Sequence, residues 1–190
     1  MNDAEYWSRF YAGAPRMAPS PFARWCERFI GRPEKLIIDA GCGDMRDSVH
    51  FALLGHDIVG IDPCGVEPKE KWWRGVLIRG SVTDAECRYA VDVVYSRWLL
   101  HALTAAEQEE FVRLVAGGGP CGSFFIECRS ANDDRPPRTT GHYRRPLRLA
   151  ELVAQLQRHG FAITFAGEQR GWSRDGDDDP LLIRIVASKR

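Results

Sequence analysis

The tightest constraint on this chain is a short stretch near residue 40: an apolar run, Lys35-Leu-Ile-Ile-Asp39, that breaks into Ala-Gly41-Cys-Gly43 and then into a helical pattern from about Arg46 to Leu54. A run this short, apolar and β-branched fits a strand buried on both faces of a parallel sheet. Gly41 and Gly43 let the backbone turn sharply and come within contact distance of a ligand that a Cβ would obstruct. Gly55 stops the helix, and Asp57-Ile-Val-Gly-Ile-Asp62 supplies a second strand, completing a βαβ unit. In open sheets of this kind, ligands bind at the carboxyl ends of the strands. There, nineteen residues beyond Gly43, Asp62 is positioned to accept hydrogen bonds from both hydroxyls of a ribose.

The alternation continues along the chain. Strands are expected at Gly75–Arg79, Val91–Tyr95 and Ser123–Glu127, with a helix over Ala105–Ala116 that starts on a Thr104/Glu107 capping box and ends at Gly117-Gly-Gly-Pro120. Leu149, Leu152, Val153 and Leu156 follow helical spacing up to Gly160, and two successive strands, Ala162–Phe165 and Leu181–Val186, close the pattern. Two helices, residues 3–12 and Phe22–Ile30, precede the first strand. The expected architecture is α/β: a doubly wound seven-stranded sheet, mostly parallel, with an antiparallel C-terminal hairpin.

With 190 residues the chain suits one domain, and 26 Lys plus Arg against 26 Asp plus Glu give no overall field to draw it to nucleic acid or an anionic membrane. Cys26, Cys42, Cys64, Cys87, Cys121 and Cys128 form no C-x-x-C pair, and they read as free thiols in a reducing compartment. No signal peptide or membrane span is expected, so the expected location is cytoplasmic.

Taken in order, these segments resemble class I S-adenosylmethionine (SAM)-dependent methyltransferases of the small bacterial, small-molecule type, with a Rossmann-like sheet. Leu36-Ile-Ile-Asp-Ala-Gly-Cys-Gly43 resembles that family's first motif, Val59-Gly-Ile-Asp62 its acidic strand end and Gly80-Ser-Val-Thr-Asp84 its adenine-edge segment. Val91-Asp-Val-Val-Tyr-Ser-Arg97 and Gly122-Ser-Phe-Phe-Ile-Glu127 resemble its fourth and fifth strands, and the likeness spans residues 35–190. A third glycine common in the family is Met45 here. The resemblance implies S-adenosyl-L-methionine as cofactor, with Gly41 and Gly43 at the methionine moiety, Asp62 at the ribose, Ser81 and Val82 at the adenine, and Ser96 and Arg97 beside the sulfonium. Asp39 and Arg46, which flank the loop, count with this cofactor set. Arg46 stands where a dinucleotide fingerprint would have glycine, which argues against NAD. Residues 1–33, carrying Tyr6, Trp7 and Tyr11, would cover the cofactor, and residues 129–146 would form a substrate-side loop.

Methyl transfer asks mainly for alignment of a nucleophile with the methyl group. A hydroxyl acceptor also benefits from a base, and the candidates are His101, just past the fourth strand, and His142; His50, His56 and His159 are expected on the solvent side. Between residues 129 and 148 lie Arg129, Arg135, Arg138, Arg144, Arg145 and Arg148 against Asp133 and Asp134. Guanidinium forks suit carboxylate or phosphate, so Arg129, Tyr143, Arg144 and Arg145 are the candidate contacts to an anionic or nucleotide/sugar-type small-molecule acceptor. The plainer alternative is a loop whose charges offset the acidic turn at residues 175–179. That turn is read as solvated, with no metal assigned. Two other functions share the motifs: a non-catalytic SAM-binding scaffold and an RNA methyltransferase. The sequence leaves the oligomeric state open.

Overall fold

The computed structural model describes residues 3–13, 18–84, 91–118, 122–135, 142–174 and 176–189. Cys87, Cys121, Gly119-Pro120, Pro136 to Gly141 (Arg138 included) and Asp175 lie outside the described residues. Two helices, α1 (Asp3–Gly13) and α2 (Pro21–Ile30), lead into β1 (Leu36–Ala40), α3 (Arg46–Leu53), β2 (Asp57–Ile61), β3 (Val76–Ile78) and β4 (Val93–Arg97). A 3-10 turn (Leu100–Ala102), α4 (Ala105–Gly117), β5 (Ser123–Arg129), α5 (Leu149–Arg158), β6 (Phe161–Gln169) and β7 (Leu182–Lys189) complete the chain.

The seven strands form one sheet in the order β3-β2-β1-β4-β5-β7-β6. The first five are parallel, whereas β7 runs antiparallel to both β5 and β6. The expected antiparallel hairpin is therefore present, but its second strand is inserted between the first and the parallel block.

Alternation along the strands divides the core in two. Ile38, Val94, Phe124 and Ile126 point to the layer of α4 and α5, where they meet Phe111, Val115, Leu152 and Leu156. Ile37, Val93, Tyr95 and Phe125 point to the layer of α2 and α3, where they meet Phe22, Cys26 and Phe51. Each fully buried aromatic or aliphatic side chain of this kind stabilises the fold by about 1.5–3 kcal/mol, and burial on both sides is why these strands read as continuous apolar runs.

Helix ends follow local chemistry. Ser20 caps α2 by accepting the Ala23 N–H at 3.0 Å, with Pro21 beside it. At α4 the Thr104 hydroxyl accepts the Glu107 N–H at 3.2 Å while the Glu107 carboxylate accepts the Thr104 N–H at 2.7 Å. Gly55 and Gly160 take φ of +88° and +84°, a conformation that only glycine adopts at no cost.

Four strands run further than the apolar pattern suggests. β4 ends at Arg97, which finds Glu127 across the strand pair, β5 ends at Arg129 opposite Leu182, and β6 and β7 pair as far as Gln169 and Lys189, with an irregularity in β6 between Ile163 and Phe165. Cys26, Cys42, Cys64 and Cys128 are free thiols. No helix among the described residues is long and apolar enough to cross a membrane.

Candidate functional site

The turn from β1 into α3 is built from left-handed residues: Gly41 at φ +75°, Gly43 at +54° and Met45 at +59°. The Gly41 N–H donates to the Ile61 carbonyl at 2.8 Å, and the Val66 N–H donates to the Gly43 carbonyl at 2.9 Å, so the loop is stitched to the end of β2. The Asp62 carboxylate completes the join by accepting the N–H of Gly43 at 3.1 Å and that of Cys64 at 2.7 Å. Burial raises the Asp62 pKa, and the two N–H donors pull it back.

Met45 explains the missing third glycine. Its side chain is fully buried, and together with Cys42 it fills the space beside Gly60 of β2, where an added Cβ would lie 2.6 Å from the Met45 methyl. Packing thus offsets the strain of a left-handed non-glycine residue. The space over Gly43 is taken by Tyr11 of α1, whose hydroxyl would sit 2.5 Å from a Cβ at that position. Burial, and then the nearby Asp62 and Asp44, push the Tyr11 hydroxyl well above the usual phenol range.

Four carboxylates surround the loop. Asp39 is buried, accepts the Ser48 hydroxyl at 2.5 Å, and is pushed up to about 8 by burial and by Asp47, with Asp62 and Asp44 adding to the shift. Asp47 accepts from the Ser20 backbone (2.7 Å), the Ser20 hydroxyl (2.8 Å) and the Tyr95 hydroxyl (2.7 Å), tying α2, α3 and β4 together. Arg46 lies 3.9 Å from Asp47. Asp39 is thus held protonated near neutral pH and Asp47 is engaged in the packing of α2 and β4, which leaves Asp44 and Asp62 as the carboxylates at the open side of the loop.

Beyond β3, the Ser81 N–H donates to Asp84 at 2.8 Å, while Val82 is buried in the core layer of α4. Opposite Ala40 of β1, near the end of β4, Ser96 is fully buried and its hydroxyl has no partner among the described residues. An orphaned buried hydroxyl costs about 1–3 kcal/mol unless something else satisfies it.

Arg97, Glu127 and Arg184 lie in register across β4, β5 and β7. Glu127 is wholly buried and accepts from Arg97 Nε (3.1 Å), Trp98 Nε1 (3.2 Å) and Arg184 Nε (2.8 Å). The Arg184 guanidinium also stacks on Phe22, Trp25 and Trp172 at 4.8–5.2 Å. Trp98 adopts φ +61° and is flanked by the guanidiniums of Arg97 at 4.9 Å and Arg129 at 5.0 Å.

The two candidate bases are brought near each other but are not equivalent. His101 is buried, its Nδ1 accepts the Arg129 N–H at 3.3 Å, and it is pushed down to about 3 by burial and by Arg144, Arg129, His142 and Arg97. A neutral ring with Nδ1 engaged carries its proton on Nε2, so His101 fits a hydrogen-bond donor and not the base expected from the sequence. His142 packs against Tyr6 and Trp7 of α1, with ring centroids 4.5 Å and 4.9 Å away. The other histidines depart from expectation: His56 is buried and accepts the Lys35 N–H at 3.4 Å, while His50 and His159 pair with Glu27 (2.7 Å) and Glu109 (2.6 Å).

The arginine cluster splits. Arg129 pairs with Asp178 at 3.0 Å, and Arg144 lies close enough to Arg129 for the two charges to oppose each other. Tyr143 is exposed. Arg145 departs from the acceptor set: it bonds the Leu103 carbonyl at 3.3 Å and the Gln108 side chain, and so braces the start of α4. Arg148 donates to Asn132 at 3.1 Å. The plainer reading thus describes part of the segment, since the acidic turn does dock on Arg129 and Arg135.

No family model and no curated protein sequence matches the chain. Solved structures do match in shape. A Burkholderia thailandensis 1,6-didemethyltoxoflavin-N1-methyltransferase with bound 1,6-didemethyltoxoflavin and S-adenosylhomocysteine (SAH) matches at TM-score 0.71 and 22% identity, over 89% of this chain and 76% of that one. The chain has the fold of the SAM-dependent methyltransferases. TehB from Haemophilus influenzae (TM-score 0.72, 16% identity, 98% of this chain, 67% of that chain) and a SAM-dependent methyltransferase from Methanosarcina mazei (0.69, 17%, 85%, 95%) share it.

Trp98, Glu127 and Asp178 contact the candidate arginines, although in the sequence Glu127 reads only as the end of a strand motif and Asp178 only as part of a solvated turn. A signal for Glu127 and Arg184 does exist: each is a charged residue inside an apolar strand run, and such residues are buried only when paired. Trp98 and Asp178 carry no such mark, because a left-handed tryptophan and a long-range ion pair emerge only in three dimensions.

Proposed function

We propose that this protein transfers a methyl group from SAM to a small-molecule acceptor, a hydroxyl on a metabolite that carries an anionic group. The observation that carries this reading is the glycine loop held by the Asp62 carboxylate at the end of β2, with Asp44 beside it: an open turn of backbone edged by carboxylates, which suits a cofactor bearing a ribose, a sulfonium and an ammonium better than a dinucleotide pyrophosphate. The bound group would supply an electrophilic methyl whose leaving thioether is already activated by positive charge.

The chain's own residues then have separate tasks. Gly41 and Gly43 offer backbone to the methionine moiety, Asp62 receives the ribose hydroxyls, and the orphaned Ser96 hydroxyl gains a partner when the cofactor is in place. Ser81 and Val82 would border the adenine. Arg97 is held by Glu127 at the methyl-transfer end, so the acceptor meets a fixed positive charge there. His142 is the proposed base, while His101 donates from Nε2 to the acceptor oxygen or its anionic group. The aromatic face of α1, with Tyr6, Trp7 and Tyr11, covers the pocket and excludes water.

Calorimetric titration of SAM, SAH and NAD against the wild type and Asp62→Ala tests the cofactor assignment. Micromolar binding of SAM and SAH is expected, weakened about tenfold or more by the substitution, because two charge-assisted hydrogen bonds are lost. Binding of NAD alone, or of none of the three, would overturn it.

A further inference from the structure

Arg129 presents an unfinished contact. A guanidinium offers two parallel N–H groups along the edge formed by Nε and Nη2, and a carboxylate or phosphate normally takes both. Here Nη2 donates to Asp178 Oδ2 at 3.0 Å, while Nε is buried with no partner among the described residues. Asp178 therefore uses half of the fork. Arg144 is close enough to feel the Arg129 charge, which with burial lowers its pKa, and the guanidiniums of Arg97 and Arg129 both lie against the Trp98 ring, at 4.9 Å and 5.0 Å. Glu127 is shared between Arg97 and Arg184, and among the described residues the carboxylate paired with Arg129 is that of Asp178.

The turn that carries Asp178 does not depend on that ion pair. Asp179 anchors it: its carboxylate accepts the Gly171 N–H at 2.6 Å, and its carbonyl accepts from Arg170 at 2.8 Å and from Arg135 at 3.4 Å. The Asp178 side chain can leave Arg129 while the turn stays in place.

We propose that Asp178 is a resident stand-in for the acceptor's own anion: a carboxylate or phosphate on the acceptor displaces it and engages Arg129 through both Nε and Nη2, with Arg144 supplying the second positive charge. This rests on the small-molecule acceptor reading above and narrows it, since the acceptor must carry a compact oxyanion within reach of the methyl-transfer end of β4. It also makes Asp178 a selectivity device, because a neutral analogue would have to separate the Arg129–Asp178 pair and offer nothing in return.

The test titrates inorganic phosphate and, separately, benzoate into the wild type, Asp178→Asn, Asp177→Asn and the double variant Asp178→Asn/Arg144→Gln, each with and without saturating SAH. Removing the resident carboxylate is expected to tighten one of the two anions about fivefold, and the arm that responds tells phosphate from carboxylate chemistry. Asp177 is an exposed neighbour in the same turn, so Asp177→Asn removes an equal charge without touching Arg129 and is expected to change nothing. The double variant is expected to lose the gain. No tightening in Asp178→Asn, equal tightening in Asp177→Asn, or full retention in the double variant would each overturn the proposal. SAH affinity, read in the same samples, is expected to be equal in all four proteins. Its absence from the wild type would count against the cofactor reading and leave the anion comparison intact.

Discussion

Gly43→Ala isolates the contact between α1 and the glycine loop. Two costs add. The residue sits at φ +54°, where a Cβ costs about 1–2 kcal/mol. The new methyl would also lie 2.5 Å from the Tyr11 hydroxyl, 2.6 Å from Cζ and 2.8 Å from Cε1, all closer than atoms can approach. Tyr11 ends a movable side chain, so the ring would swing away and forfeit part of its burial, roughly a further 1–2 kcal/mol. The total, about 2–4 kcal/mol, corresponds to a fall of about 5–15 °C in Tm for a chain of this size. In a Tyr11→Ala background only the backbone cost remains, so the double-mutant cycle should return a coupling of about 1–2 kcal/mol. Urea unfolding of the four proteins measures it. An equal cost of Gly43→Ala in both backgrounds would refute the argument, because α1 would then not rest on the loop. SAH titration separates structure from function: the added methyl should weaken SAH in both backgrounds, since the obstruction to a ligand comes from residue 43 itself.

Two more predictions concern buried charge. Glu127→Gln would leave the Arg97 and Arg184 guanidiniums facing each other without their shared carboxylate, and breaking a buried pair costs about 3–5 kcal/mol; urea unfolding should show it, and a loss under about 1 kcal/mol would mean the row is not structural. Asp39 is held up to about 8, against about 3.9 in an unfolded chain. The folded state thus keeps a proton that the unfolded state has released, so this contribution to stability is full below about pH 4 and is lost as pH rises through about 8. Unfolding of wild type and Asp39→Asn at about pH 6 and about pH 8.5 checks the sign: the wild type should lose more stability than the variant on going to the higher pH, and parallel losses would show that Asp39 does not titrate in this window.

The contrast between what the sequence disclosed and what it hid is physical. The β1 loop was legible because Asp39-Ala-Gly41-Cys-Gly43 after an apolar run is a local arrangement: strand, left-handed turn and helix are each dictated by residues within reach of one another. The same is true of the Thr104 capping box and of Gly160. Strand order was only partly legible, since β7 lies between β5 and β6 through contacts between residues far apart in the chain, such as Glu127 and Arg184, 57 residues apart. Arg145 shows the limit on the site side. It stands beside Arg144 in the sequence and shares its chemistry, yet it braces α4 through Gln108 while Arg144 approaches Arg129. His101 shows it again: position past β4 suggested a base, but a base needs a free lone pair, and the Arg129 N–H occupies it.

A residue's proximity to the reacting end of the sheet is therefore weaker evidence of a role than the state of its hydrogen-bonding atoms. Among the described residues, Ser96 has a buried hydroxyl and Arg129 a buried Nε with no protein partner, and both are residues of the proposed pocket. Folded chains tolerate such atoms sparingly, because each costs free energy that packing elsewhere must offset. In the function proposed above Ser96 serves the cofactor and Arg129 the acceptor, so the two unmatched groups would bracket the line along which a methyl group passes.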